Sequence, residues 1–352
     1  MSCLLFMYKN FVVSYHEVEV NAMITCAIVG ATGLVGSTFL KVLEEKRLPI
    51  DKFTLLASAR SKGKKIRFMN QEYIVEELTE HTFDNHRFDY ALFSAGGTIS
   101  KIYAPIAAKN GCIVIDNSST FRMHEDVPLI VPEVNSEEIQ HHQGIIANPN
   151  CSTIQAVLPL KVLQDHYGLK RIIYSTYQAV SGAGQKGIAD YENTSHGLDS
   201  KKFPYKIYNN CIPQIDIFLE NGYTKEEMKM IEETRKILKE PNLYITSTCV
   251  RCPILNSHGE SINVELESEF DTLEVKQLLS KSEGIVVLDD IAKNIYPLNT
   301  FASNKDEVFV GRIRRDYSIK NGLNFWCVAD NIRKGAATNA VQILEKLIQN
   351  KA

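Results

Sequence analysis

The chain has no apolar run approaching the roughly 20 residues needed to cross a bilayer, and it shows no internal repeat and no low-complexity tract. A spanning helix and a solenoid are therefore not expected. Charge of one sign is also lacking: 39 basic against 42 acidic residues leave a formal charge of -3, which gives no reason to expect a nucleic-acid or anionic-membrane partner. Any anion selectivity must come from local sites. The opening Met1-Ser-Cys-Leu-Leu-Phe-Met7 is short and lacks the positive charge that precedes a signal-peptide core. Residues 1–22 precede a further methionine, Met23, and read as a flexible extension or an upstream start.

Cysteine is present but not concentrated. The eight cysteines, at 3, 26, 112, 151, 211, 249, 252 and 327, do not make the dense framework of a small secreted domain, so free thiols in a reducing cytoplasm are expected. Cys249 and Cys252 form a CxxC. Their segment, 245–253, reads as a strand, in which residues three apart face opposite sides, and a zinc site would need further ligands at fitting spacing. No metal is expected.

With 352 residues, 44% apolar and 23% charged, the chain is long enough for two domains with substantial cores. Residues 24–29 are apolar enough for a buried strand, and Gly30-Ala-Thr-Gly-Leu-Val-Gly36 then turns into a segment with Phe39, Leu40, Val42 and Leu43 on one helical face. Further strands are predicted at 53–57, 88–94 and 112–116. This is the pattern of an α/β, doubly wound, mostly parallel sheet. After Cys151 longer alternating strands are predicted at 171–180, 245–254, 262–267 and 307–313, with helices at 225–240 and 272–282, which reads as an α+β unit with a large mixed or antiparallel sheet. A closing helix over 334–349 would return to the first unit. The expected organisation is an extension at 1–22, a nucleotide-binding domain at 23–150 plus 331–352, and a catalytic and oligomerisation domain at 151–330. The polar, glycine-containing stretch 181–200 is expected to be a mobile surface loop.

Gly30, Gly33 and Gly36 sit where a strand-to-helix turn needs close backbone approach to pyrophosphate and a helix N-terminus facing negative charge. A merely structural glycine turn is the other reading. Where an Asp or Glu would bind the ribose hydroxyls for NAD, the chain carries Arg60 and Ser61, which could meet a 2′-phosphate or simply form a solvated basic loop. NADP is the favoured cofactor.

Residues 144–153 lead from an apolar strand through a Pro-containing turn into a helix that begins near Cys151. The positive end of the helix dipole favours the thiolate, although a lone cysteine is more often a small buried apolar residue. A thiolate adding to a carbonyl also needs an acid/base group, groups that hold the substrate, and a hydride partner. His258 is the candidate base, with an exposed turn histidine as its alternative. Gln178 and Ser181 to Gly184 follow another strand, where side chains reach clefts, although Gln178 could be a satisfied core amide. Arg122 and Lys229 suit phosphate, and Arg251 suits a carboxylate. Lys229 could instead pair with Glu226 on a solvated helix face.

In order along residues 24–350, these segments resemble the aspartate-semialdehyde dehydrogenases. The resemblance is carried by Gly30 to Gly36, Ser94-Ala-Gly-Gly97, Asp116-Asn-Ser-Ser119 with Phe121-Arg-Met123, and Val131-Pro-Glu-Val-Asn135. Asn148-Pro-Asn-Cys-Ser-Thr153, Tyr177 to Gly184, Glu226-Glu-Met-Lys229 and Thr248-Cys-Val-Arg251 complete it. It implies a Rossmann-like domain and NADPH-dependent reduction of aspartyl 4-phosphate to aspartate 4-semialdehyde with phosphate release, on the route to lysine, threonine and methionine, in a homodimer or homotetramer. Cys151 would form the acyl-thioester, His258 would be the acid/base and Gln178 would orient the reacting group. Arg251 and Glu226 would hold the amino-acid portion, and Arg122 and Lys229 the phosphate, with Asn150 ordering that pocket. Thr32, Leu34, Val35, Arg60, Ser61, Ser181, Gly182 and Asn331 would join the three turn glycines as nucleotide contacts. The stretch 184–203 is shorter than in many relatives, which carry a helical subdomain there, and Cys252 replaces an aliphatic residue. The rival readings are an N-acetyl-γ-glutamyl-phosphate reductase, whose nucleophile precedes Tyr-Pro rather than Ser152-Thr153, and a non-catalytic NADP-binding regulator.

Overall fold

A computed structural model describes residues 23–351, so the expectation for residues 1–22 lies outside the described residues. The first half contains β1 (Thr25–Val29), β2 (Lys52–Ala57), β3 (Lys65–Phe68), β4 (Gln71–Ile74), β5 (Glu76–Glu77), β6 (Tyr90–Phe93), β7 (Ile113–Asp116) and β8 (Ile145–Ala147). Apart from the β3–β4 hairpin these form one parallel sheet in the order β5-β2-β1-β6-β7-β8. Residues on both faces of β1 are buried, which explains why it reads as a continuous apolar run. The order reverses between β1 and β6, and at such a switch point a crevice opens beyond the carboxyl ends of the strands.

The second half contributes β9 (Leu169–Gln178), β10 (Tyr244–Arg251), β11 (His258–Leu266), β12 (Ile285–Val287), β13 (Val308–Asp316) and β14 (Gly322–Ala329). They form a mixed sheet in the order β10-β9-β11-β14-β13-β12, with parallel pairs only at its two edges. The longer helices are α1 (Leu34–Lys46), α2 (Gly97–Lys109), α3 (Cys151–Tyr167), α4 (Gln185–Ser195), α5 (Lys225–Leu238), α6 (Thr272–Lys281) and α7 (Asn339–Lys351). One core joins both sheets through α3, whose Ile154, Val157, Leu158 and Leu160 are buried. A second core packs α1 and α7 on the outer face of the parallel sheet, so the C-terminal helix does return to the first half.

Three expectations change. β14, in the middle of the second sheet, goes unpredicted: its residues make a short apolar run whose role depends on partners about 60 residues away in β11. The stretch 181–200 is not a loop, because α4 occupies residues 185–195. It is a polar helix held by tertiary contacts: buried Asp190 accepts from Ser200 Oγ at 2.6 Å, Lys201 N at 2.6 Å and Phe203 N at 3.2 Å. The closing helix begins with a π-helical segment, Arg333–Thr338, before α7.

Candidate active site

The glycine turn closes on itself tightly. Gly30 has φ of 88°, and a Cβ there would stand 2.9 Å from the Ser94 carbonyl carbon; at Gly36 it would stand 2.0 Å from the Gly30 oxygen. Gly33 caps α1 without using a side chain, so the first amides of the helix face the crevice. This cradle suits a pyrophosphate. Next to it, Ser61 Oγ lies 3.3 Å from Thr32 Oγ1, and Arg60 is exposed in the short turn that follows β2. Leu34, Val35, Ser181, Gly182 and Asn331 line a groove of about 220 Å³ that runs from this turn to Cys151.

Cys151 is the first residue of α3, immediately after β8 and the turn Asn148 to Asn150. Its sulfur lies 3.3 Å from His258 Nε2 and 3.6 Å from Asn150 Oδ1. The alternative reading of His258 as an exposed turn histidine is not found: Ser257 turns with φ of 70°, and His258 opens β11, fully buried. The Ala179 amide donates to His258 Nδ1 at 3.0 Å. The neutral ring therefore carries its proton on Nε2, facing the sulfur. Burial, with Arg251 adding to it, pulls the His258 pKa down to about 3, so the ring is neutral.

The helix start does not make Cys151 a ready thiolate. Burial, reinforced by Glu226, pushes the thiol up to about 12 against the opposing pull of Arg251, Arg122 and Lys229. The side chain is still partly open to the cleft, so an incoming ligand reaches it. Two glycines make room around it. A Cβ on Gly182 would stand 2.8 Å from Arg251 Nη1 and 3.2 Å from His258 Nε2, and one on Gly335, in the π-helical segment, 2.8 Å from Cys151 Cβ.

On the other side of Cys151 is a cavity of about 570 Å³ that collects Arg122, Lys229 and Arg251 together with Asn150, Gln178 and Glu226. Helix α5 presents two of these, and its N-terminus is fixed by a capping box in which Glu227 accepts from Thr224 N at 2.6 Å. The spare Glu227 oxygen accepts from Cys249 N at 3.1 Å and pins the helix to β10. Glu226 is buried. Burial pushes its carboxyl up, but Lys229, the Asn150 hydrogen bond and Arg251 outweigh that and hold it at about 2. It accepts from Asn150 Nδ2 at 2.9 Å, Gln178 Nε2 at 3.2 Å and Lys229 Nζ at 3.1 Å. The pairing of Lys229 with Glu226 is thus real, but it lines a cavity rather than a solvated face. Gln178 is a buried amide that also reaches the cavity. Arg251 donates to the Ala179 oxygen at 2.6 Å, which fixes its guanidinium plane.

Sequence reasoning missed Glu233. Almost wholly buried, it accepts from Arg122 Nη1 at 3.0 Å and from the Asn150 amide at 2.6 Å, tying the arginine to the N-cap of α3. The signal was available: residues 226, 229 or 230, and 233 share one face of α5, and a carboxylate at a core-facing position needs a cationic partner. Among the described residues no cluster of His, Cys, Asp or Glu is arranged to hold a metal. Nor is any helix there long and apolar enough to cross a membrane.

Residues 25–142 match the family model described as semialdehyde dehydrogenase, NAD binding domain, and residues 160–334 match semialdehyde dehydrogenase, dimerisation domain. The aspartate-semialdehyde dehydrogenase of Aquifex aeolicus (strain VF5) is 53% identical over 333 residues, 92% of this chain and 97% of that protein. That of Bacillus subtilis (strain 168) is 48% identical, covering 91% and 96%. A crystal structure of aspartate semialdehyde dehydrogenase II from Vibrio cholerae, complexed with ASA, is similar with a TM-score of 0.89 at 46% identity, covering 93% of this chain and 98% of that one. With both family models matched in order along the chain and relatives this similar over nearly its whole length, the chain belongs to the aspartate-semialdehyde dehydrogenase family.

Proposed function

We propose that the protein catalyses the reversible NADPH-dependent reduction of L-aspartyl 4-phosphate to L-aspartate 4-semialdehyde with release of phosphate, a step toward lysine, threonine and methionine. The observation that carries this reading is the position of Cys151, whose side chain lines both the cationic cavity and the groove from the glycine turn. From that position one sulfur can meet an acyl phosphate on one side and a nicotinamide on the other.

Cys151 Sγ attacks the acyl carbon, the bond to the phosphate oxygen breaks, and the departing phosphate takes up the thiol proton between Arg122 and Lys229. Arg251 pairs with the α-carboxylate and Glu226 with the α-ammonium of the substrate, while Gln178 and Asn150 orient the carbonyl. Bound NADPH supplies the hydride that converts the thioester to the aldehyde. His258 Nε2–H donates to the oxygen that becomes negative in each tetrahedral intermediate and to the sulfur as it leaves. With the ring neutral, giving up that proton would leave an imidazolate, so this geometry supports His258 as a hydrogen-bond donor rather than as a general acid or base. The nucleotide lies on Gly30, Thr32, Gly33 and Gly36, with Arg60 and Ser61 toward the 2′-phosphate and Ser181, Gly182 and Asn331 at the nicotinamide end. NADP is favoured because the turn that follows β2 carries Arg60 and Ser61 where an NAD site would carry an Asp or Glu, and the nearest carboxylate on the neighbouring strand, Glu77, is paired with Lys62 at 3.3 Å.

We further assign residues 23–150 with 331–352 to nucleotide binding and residues 151–330 to catalysis and assembly, in a cytoplasmic homodimer. The matched dimerisation model and the half-open outer face of the second sheet, where Tyr177 and Trp326 pack together, support this.

The test supplies purified protein with L-aspartate 4-semialdehyde, NADP and phosphate and follows NADPH absorbance. Turnover is expected to require phosphate, to run much more slowly with NAD, and to vanish with N-acetylglutamate 5-semialdehyde. Protein that binds NADP but turns over neither aldehyde would overturn the enzyme assignment, and activity on the N-acetylated substrate alone would favour the reductase rival.

A further inference from the structure

The CxxC does not use its own two sulfurs together. Cys249 points into the core from within β10, whereas Cys252, just past the strand, has its sulfur 3.9 Å from Cys211 Sγ, 41 residues earlier in the chain. Backbone pairing explains the meeting. Ile212 and Arg251 exchange both of their amide hydrogen bonds, at 2.9 and 2.8 Å, as an antiparallel bridge. Cys211 and Cys252 are then the next residues directly opposite, a non-hydrogen-bonded pair. Cα atoms in such pairs approach to about 4.5 Å, inside the roughly 4.4–6.8 Å that a disulfide spans. The sulfurs need only close by about 2 Å through side-chain rotation.

The two thiols differ in access. Cys211 is exposed and Cys252 is buried, with burial pushing the Cys252 thiol up to about 12. We propose that Cys211 and Cys252 form an oxidative modification site, in which a peroxide attacks at Cys211 and the pair closes to a disulfide that fixes one wall of the substrate cavity. The Cys211 sulfur displaces hydroxide from the peroxide oxygen and becomes a sulfenic acid. Cys252 sulfur then attacks the sulfenyl sulfur, its proton and the expelled hydroxide leaving as water. In total two thiols and one hydrogen peroxide give one disulfide and two waters. Three residues beyond Cys211 the same segment becomes the cavity wall, 214–217, in which Asp216 pairs with Lys229 at 3.2 Å, while Cys252 follows Arg251 directly. A bond between the two would hold that wall against β10 and restrict its adjustment around substrate. This consequence rests on the proposed function; formation of the bond does not.

The experiment treats reduced full-length protein with hydrogen peroxide, blocks remaining thiols, digests without reductant and maps cross-links by mass spectrometry. The expected product links the Cys211 and Cys252 peptides, lighter by two hydrogens than their sum, and dithiothreitol reverses it. Alongside, the oxidised enzyme should show a KM for phosphate raised at least threefold, and Cys211→Ser treated identically should not, although it shares any loss of kcat from oxidation of Cys151. A sulfenic acid that persists at Cys211, a cross-link from Cys252 to Cys249, or a linked enzyme with unchanged KM would each overturn the proposal. Reduced wild-type protein without semialdehyde turnover would instead defeat the proposed function and leave the cross-link map standing.

Discussion

On the nucleotide side of the cleft the closest contacts are backbone: Gly30, Gly33 and Gly36 leave space, and the one candidate for charge recognition, Arg60, is exposed. On the substrate side they are charged side chains, buried Arg122 on Glu233 and half-buried Lys229 on buried Glu226, at 3.0 and 3.1 Å. The difference is one of preorganisation. A backbone cradle is rigid as soon as the turn folds, whereas buried charges stay in place only while every partner is present, because an unpaired buried charge costs several kcal/mol. Damage should therefore propagate on the substrate side and stay local on the nucleotide side.

Two variants sharpen that contrast. The larger effect is expected from Glu233→Gln: the carboxylate accepts from Arg122 and from the Asn150 N–H on separate oxygens, and an amide turns one of these into an NH2 donor, so the arginine and the cap of α3 loosen together. Steady-state kinetics should show the KM for phosphate raised about tenfold and kcat reduced, since small misplacements of reacting groups cost up to about 100-fold. NADPH affinity should stay within about twofold. The smaller effect is expected from Arg60→Ala, which removes the exposed side chain proposed to meet the 2′-phosphate. Titration should show NADPH affinity weakened about fivefold, NADH affinity unchanged, and the KM for phosphate untouched. If Arg60→Ala disturbed phosphate binding more than Glu233→Gln, the contrast between the two sides would be wrong.

The same contrast explains what could be read in advance. Spacing along the chain specifies the β1–α1 turn and the start of α3, so the glycine cradle and the place of Cys151 were legible. The motif residues Gln178, Glu226, Lys229, Arg251 and His258 were legible as a set through the family resemblance, and the structure brings all of them around one sulfur. Their states were not. Local sequence suggested a thiolate at a helix N-terminus and left open whether the histidine is exposed; the protonated Cys151 and neutral, buried His258 follow from desolvation in the folded chain, which no short segment encodes. Glu233 and the Cys211–Cys252 pairing were hidden for a related reason, because each depends on a contact between segments at least 41 residues apart. Helix α4 was hidden because Asp190, which holds it, reads locally as a turn residue.

The central claim is that Cys151 accepts the β-aspartyl group, and it is tested most directly without any nucleotide. Protein mixed with L-aspartyl 4-phosphate in the absence of NADPH should release one equivalent of phosphate per site and gain the mass of one aspartyl group on the peptide containing Cys151. Hydroxylamine should remove that group, and Cys151→Ala should show neither event. Phosphate release without an adduct, or an adduct on another residue that survives in Cys151→Ala, would contradict the account.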